Sequence, residues 1–130
     1  MITIIRLRKP MVQMIHDRQI DTYGGIKGIR DEGLLSQLCE APYQQFAGIE
    51  LFPTIFEKAA KYVDGFARHQ VFLDGNKRTA ASCMITFLEI NGFNSSYSND
   101  ELANLTLDVA NDRLSFDDIV ESIRSHVYSN

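Results

Sequence analysis

Apolar side chains recur at three- and four-residue steps along most of the chain, and this spacing constrains the fold more than any other feature. The clearest predicted helix lies between Pro53 and about His69, with an apolar stripe of Ile55, Phe56, Ala59, Val63, Phe66 and Ala67. After a break at Asp74-Gly75, a second runs from Asn76 to about Asn91, with an apolar face of Ala80, Cys83, Met84, Phe87 and Leu88. Such faces must be buried against other elements. The pattern predicts an all-α, or mostly helical, compact bundle.

Four further helices are predicted from end signals and shorter stripes. The first runs from Pro10 to Ile20, and its apolar residues at near-helical spacing are Met11, Met14 and Ile15. Tyr23-Gly24-Gly25 then ends it, either as a plain turn or as a mobile flap over a site. Asp31, Ser98 and Ser115 are candidate N-caps for the other three, and Ser98 opens a capping-box pattern. About six helices are therefore expected.

Three groups of apolar residues fall outside these stripes. Ile2 to Leu7 fit a short strand or an ordered tail equally well. Phe46, Phe52 and Phe56 fit a core better than a platform for stacking bases. Cys39 and Cys83 are expected to be reduced, buried thiols, because free cysteine packs as a small hydrophobic residue.

Length and composition exclude several classes of protein. A chain of 130 residues with 45% apolar and 23% charged residues suits one globular domain, here 1–130, and argues against disorder. The net charge of −4 disfavours general binding to nucleic acid or to anionic membranes. The chain shows neither the ~18–20 apolar residues of a membrane span nor a secretory signal. A cytoplasmic protein is expected.

The loop between the two strongest helices concentrates positive charge. Residues 68–78 carry Arg68, Lys77 and Arg78 against Asp74 alone, whereas residues 98–121 carry seven acidic residues against Arg113 alone. The first amides of a helix have no internal partners, and the helix dipole makes that end an anion site. Lys77 and Arg78 would oppose this dipole unless an anion binds there. The pattern favours phosphate binding over the alternative of a plain turn.

Each residue of this loop suggests a role. Gly75 would let the backbone approach a ligand without a Cβ. Asp74 could hold Mg²⁺, which prefers one or two carboxylates together with substrate phosphates. Asn76 would either cap the helix or bind a phosphate oxygen, and Phe72 is expected to enter the core and fix the loop.

The segment Phe72-Leu73-Asp74-Gly75-Asn76-Lys77-Arg78-Thr79-Ala80 resembles the core of the Fic/Doc superfamily motif in its Doc (death-on-curing) form. A second set of residues is similar to the Doc amino-terminal signature: His16-Asp17, Tyr23-Gly24-Gly25, Gly28, Arg30-Asp31 and Leu34-Leu35. The resemblance covers about residues 12 to 125 and implies a helical fold with the motif loop between two central helices. It also implies a toxin that is neutralised by a small antitoxin.

The resemblance implies two candidate activities, both with ATP and Mg²⁺. Fic relatives transfer AMP to a protein hydroxyl, whereas Doc relatives transfer the γ-phosphate to a threonine of elongation factor Tu and stop translation. Lys77 follows the Doc form, and Ala81 stands where the full Fic motif has a second arginine. By the same resemblance Asp74 would hold Mg²⁺ and orient the hydroxyl. The remaining phosphate contacts would come from Gly75, Asn76, Lys77 and Arg78.

The chain departs from the family pattern at the general base. The family histidine lies four residues before the motif aspartate, a position held here by Gln70, and His69 is one residue too early. An amide is no useful proton acceptor at neutral pH. Three interpretations stay open: Gln70 disarms or weakens the enzyme, His69 compensates for it, or the loop serves another use. The third includes a catalytically silent module that binds nucleotide or antitoxin, and a plain helical interaction domain.

A further histidine lies outside the motif loop. His16 adjoins Asp17 within the first predicted helix, and a surface or helix-end role is expected for it rather than catalysis.

Overall fold

The chain folds around two central helices. A computed structural model describes residues 3–129, which contain six α-helices. These are α1 Lys9–Tyr23, α2 Glu32–Glu40, α3 Ile55–Arg68, α4 Asn76–Ile90, α5 Asn99–Ala110 and α6 Phe116–His126. Helix α3 packs against α4, α5 and α6, and α1 packs against α4. The predicted mostly helical architecture is confirmed.

Two antiparallel strand pairs, which the sequence did not predict, complete the fold within residues 3–129: a hairpin, and a second pair whose strands flank α5 and α6. Their strands are β1 Gln45–Phe46 with β2 Ile49–Glu50, and β3 Phe93–Ser95 with β4 Val127–Ser129. A short 3₁₀ turn, Ala41–Tyr43, precedes the hairpin. Each strand has only two or three residues, which is too few for a period-two pattern to stand out in the sequence.

The apolar faces of α3 and α4 form the core. The predicted face of α4 is buried throughout, and most of the α3 stripe is buried with it. Cys39 and Cys83 are both buried and free, as predicted. Burial raises the pKa of the Cys39 thiol to about 11, which keeps it protonated near neutral pH.

Most helices begin at a capping side chain. Asp31 accepts from the Leu34 amide, Thr54 from the Glu57 amide, Ser98 from the Glu101 amide and Ser115 from the Asp118 amide. The capping box predicted at Ser98 is present, and Ser115 forms another with Asp118. These four helices also carry an acidic residue in their first turn, where negative charge complements the dipole.

No helix in the described part of the chain combines the length and the apolar content that crossing a bilayer requires.

The buried face of α1 differs from the predicted one. Val12, His16 and Ile20 are buried, whereas Met11 and Met14 are 44% and 58% exposed. The predicted buried face of α1 was wrong because it was based on Met11 and Met14, and single apolar side chains are common at protein surfaces. This correction turns His16 toward the interior.

Two other expectations are corrected or resolved. Residues 3–8 form no strand, and Ile2 lies outside the described residues. Residues 3–7 instead form the ordered tail that was the other prediction. The backbone N–H and C=O of Ile5 both bond to the Asn91 side chain, and Leu7 is buried. Phe46 is 76% exposed on β1, so its placement in the core was wrong, whereas Phe56 packs partly buried against the core.

Candidate functional site

The loop between α3 and α4 is anchored by one buried aromatic ring. Phe72 is 1% exposed and stacks on His16, with ring centroids 3.7 Å apart and planes 8° from parallel. On either side, the Arg30 amide donates to Val71 O at 2.8 Å and the Leu73 amide donates to Gly28 O at 3.1 Å. The predicted role of Phe72 is confirmed, and the loop is pinned to the segment that follows α1.

Helix α4 begins without a side-chain cap. Gly75 precedes it with φ of +74°, the left-handed conformation, and a Cβ at this position would lie 3.1 Å from Ile20 Cδ1. The first helical bond runs from the Thr79 amide to Gly75 O at 3.0 Å. Among residues 3–129 nothing accepts from the amides of residues 76–78. Three parallel donors at the positive end of a dipole are suited to an anion.

The Asn76 side chain holds the loop together. It is 8% exposed; its Oδ1 accepts from the Phe72 amide at 2.9 Å, and its Nδ2 donates to Phe72 O at 3.0 Å. This is a structural role in place of the predicted phosphate contact, because the amide group is already satisfied on both sides. The backbone amide of Asn76 is the part that stays available to a phosphate.

Asp74 is exposed, and its carboxylate and its backbone carbonyl have different partners. Its Oδ2 accepts from the Ile26 amide at 3.1 Å, and its backbone oxygen accepts from His16 Nε2 at 2.8 Å. The carboxylate therefore fits a cation as a single ligand. The described residues hold no group of three metal-ligating side chains, so Mg²⁺ here would need phosphate oxygens and water to complete six ligands.

Lys77 and Arg78 are exposed at the entrance to a cleft of about 440 Å³. The Arg78 guanidinium lies 4.7 Å from the centre of the Tyr23 ring, a cation–π contact. The rest of the cleft is lined by Gln19, Ala81, Ser82, Asn99, Leu102, Ala103 and Thr106. Its volume and its mixed apolar and polar lining are typical of small-molecule sites. Tyr23-Gly24-Gly25 thus lies against the motif loop, and the Tyr23 ring forms one side of the cleft.

The predicted catalytic residues were Gln70, His69, Asp74 and Arg78, and of the two that compete for the general-base position, Gln70 contacts the motif loop. Gln70 Oε1 accepts from Asn76 Nδ2 at 3.4 Å. His69 ends α3 with extended backbone angles, φ −111° and ψ 142°, and its amide donates to Gly65 O. Both His69 and Gln70 are exposed, and the contact with the Asn76 side chain is made by Gln70.

His16 is the residue of this region that the sequence interpretation misplaced. It is 2% exposed and contacts both Phe72 and the Asp74 backbone, so the expected surface or helix-end role was wrong. The four-residue spacing of Val12, His16 and Ile20 would have revealed it, because these residues share one helix face.

Comparisons with known proteins agree with this geometry. The model of the Fic/DOC family matches residues 6–88, a range that includes α1, the loop and nearly all of α4. "Protein kinase doc" of Escherichia phage P1 is 33% identical over 110 residues, which cover 85% of this chain and 86% of that protein. "Toxin Doc" of Mycolicibacterium smegmatis is 40% identical over 70 residues, 54% of each chain. The resemblance of the two motifs is thereby confirmed, and the chain belongs to the Fic/DOC family.

Proposed function

We propose that the protein is a Doc-like toxin that binds ATP with Mg²⁺ and transfers the γ-phosphate to a hydroxyl of the translation apparatus, a threonine of elongation factor Tu. The observation that carries this proposal is the start of α4, where residues 3–129 give no acceptor to the amides of residues 76–78 and the exposed cations Lys77 and Arg78 stand in the first turn. The names of the two relatives, a kinase and a toxin, support the same activity.

The residues divide the work of such a transfer. The hydroxyl oxygen bonds to the γ-phosphorus and its proton passes to water, while the bond from that phosphorus to the bridging oxygen breaks and ADP leaves with the electron pair. The amides of residues 76–78 with Lys77 and Arg78 stabilise the negative charge on the phosphate oxygens. Asp74 orients the hydroxyl and would hold Mg²⁺, which when bound neutralises charge on the phosphates.

Phosphate transfer is favoured over AMP transfer by the cleft. Ala81 lies in its wall, where the full Fic motif has an arginine, and this small side chain leaves apolar surface beside Leu102 and Ala103. Such a lining suits the nucleoside end of ATP better than a triphosphate tail. We place the nucleoside in this cleft and the terminal phosphate at the start of α4, because Lys77 and Arg78 of that first turn also line the cleft.

Gln70 limits the rate of this enzyme. The hydroxyl must lose its proton, and the amide of Gln70 accepts none at neutral pH. Loss of a general base lowers rates by about 10²–10⁴. We therefore propose a disarmed or weakened toxin. The second candidate is a catalytically silent nucleotide- or antitoxin-binding module, because Gln70 stands four residues before Asp74, where the family has its histidine.

ATP labelled on either the α- or the γ-phosphate, incubated with purified elongation factor Tu, tests the proposal. We expect Gln70→His to raise γ-label transfer by about 10²–10⁴ over the unaltered chain. His69→Gln is the matched control and should change nothing. Transfer of α-label would show AMP transfer instead, and ATP binding without transfer or growth arrest in Gln70→His would show the silent module.

The partner and the location follow from the same proposal. A toxin of this kind needs an antitoxin, here a small protein or peptide, and acts in the cytoplasm, where ATP and the translation factor occur. No direct contact with nucleic acid or membrane is proposed. Co-purification of the chain with the product of a neighbouring short gene, together with relief of growth arrest, would test the pairing.

A further inference from the structure

His16 lies directly beneath the candidate phosphate site and contacts its backbone. Its Nε2 donates to the Asp74 backbone oxygen at 2.8 Å, while the ring stacks on Phe72 at 3.7 Å. A carbonyl oxygen only accepts, so Nε2 carries a hydrogen. One directional bond and one aromatic contact therefore join α1 to the loop before α4.

The bond to Asp74 fixes the peptide that connects Asp74 to Gly75. In a trans peptide the carbonyl and the N–H point in opposite directions, so a carbonyl turned toward His16 turns the Gly75 amide away from it. Gly75 then adopts its left-handed conformation and α4 begins. The orientation of this one peptide consequently sets the direction of the first free amides of the helix.

The surroundings of Gly75 make the arrangement sensitive to His16. A Cβ on Gly75 would lie 3.1 Å from Ile20 Cδ1 and 3.8 Å from His16 Nε2, so α1 forms the floor under the turn. The imidazole is also enclosed, being 2% exposed. Without a donor at this place the Asp74 carbonyl would face a buried side chain that cannot bond to it.

We propose that His16 is a positioning residue for phosphate binding. Its hydrogen bond to the Asp74 carbonyl holds the amides of residues 75–78 in the direction that receives a phosphate. His16 does not touch the phosphate and acts through the backbone. The identity of the ligand as ATP rests on the proposed function, whereas the contacts by which His16 fixes the loop do not.

Two variants separate the hydrogen bond from the packing. His16→Phe keeps an aromatic ring on Phe72 and removes the donor, whereas His16→Gln keeps an N–H donor at a similar distance and removes the ring. Ile123→Val, in the buried face of α6, controls for a loss of stability remote from the loop. Two readouts are used for each: calorimetry with ATP and Mg²⁺, and hydrogen exchange of the Phe72, Leu73 and Thr79 amides, which are all hydrogen-bonded.

We expect His16→Phe to weaken ATP binding by about tenfold, the effect of one lost hydrogen bond, and to speed exchange at these three amides. His16→Gln should retain most of the ATP affinity and most of the protection of these amides, and Ile123→Val should change neither quantity. Equal effects of the two His16 variants, or unchanged exchange in His16→Phe, would overturn the proposal. If the unaltered chain binds no ATP while His16→Phe still speeds exchange, the nucleotide function fails and the hold on the loop stands.

Discussion

Helices α4 and α6 begin in opposite ways. At α6, Ser115 Oγ accepts from the Asp118 amide at 3.1 Å and Asp118 Oδ2 accepts from the Ser115 amide at 3.0 Å. At α4, Gly75 has no side chain, and the cations Lys77 and Arg78 occupy the first turn. The start of α6 is satisfied within the chain, whereas the described residues give no acceptor to the first three amides of α4. The difference separates a helix end that is capped by its own side chains from one whose first amides are open to a ligand.

Among variants that test this difference between the two helix starts, Asn76→Ala should have the largest effect. It removes both bonds to the Phe72 backbone and leaves buried polar groups unpaired, so the free energy of unfolding should fall by about 2–4 kcal/mol. Urea denaturation measures the change. Asn104→Ala makes the same change at an exposed position of α5 and should have almost no effect. Equal stabilities of the two variants would show that Asn76 does not hold the loop.

Lys77→Glu should give α4 the charge pattern of α6. Loss of a charged phosphate contact weakens ATP binding by about 10–100-fold. The acidic residue complements the dipole, so stability should rise by about 0.3–1 kcal/mol. Calorimetry and urea denaturation would measure these opposite changes.

Arg113→Glu changes the net charge equally, outside the cleft. If it weakened ATP binding as much as Lys77→Glu does, the effect would be general electrostatics rather than a local site.

Ser115→Ala tests the other helix. Removal of the cap should lower the free energy of unfolding by about 1 kcal/mol and leave ATP affinity unchanged. A melting curve and a nucleotide titration on the same sample check both. A marked loss of ATP affinity would mean that the two helix ends are not independent.

The smallest effect concerns pH at the capped end of α5. His126 Nδ1 bonds to Ser122 O and its Nε2 bonds to Glu101; these contacts raise the pKa of His126 above its usual value near 6.5. Because the folded-state pKa is the higher one, the stabilisation is complete below pH 6.5 and is lost as the pH rises through the raised value. Melting temperatures measured from about pH 5.5 to about pH 8.5, the range in which histidine titrates, should therefore decline slightly as the pH rises.

His126→Gln should abolish that decline. The Glu101 carboxylate limits the effect on the acid side, because bonds from Ser98 and His126 lower its pKa and stability falls as the pH drops through that lowered value. A slope that persisted in His126→Gln would assign the pH dependence to another group.

The sequence predicted the parts of the fold that repeat. The helical period recurs over many residues of α3 and α4, and the break at Asp74-Gly75 marks where α4 begins. Both helices are therefore predicted correctly. The face of α1 was wrong because Met14 is apolar yet exposed, and the hairpin bearing Phe46 was missed because its strands are too short to show a period.

At the site, the sequence predicted the types of residue better than their contacts. Glycine and two cations at a helix start indicated an anion site, and the structure leaves those amides open. The roles of Asn76 and His16 depend on which backbone groups the loop brings within reach. Such contacts arise only when α1 and the loop pack together, so spacing along the chain could not reveal them.

The donors at the start of α4 belong to the main chain, and every residue type except proline supplies such a donor. A substitution of any side chain in this loop, Gln70 included, leaves these donors in place. Under the proposed function, main-chain groups would hold ATP and side chains would use it, so the two capacities could be lost separately during evolution.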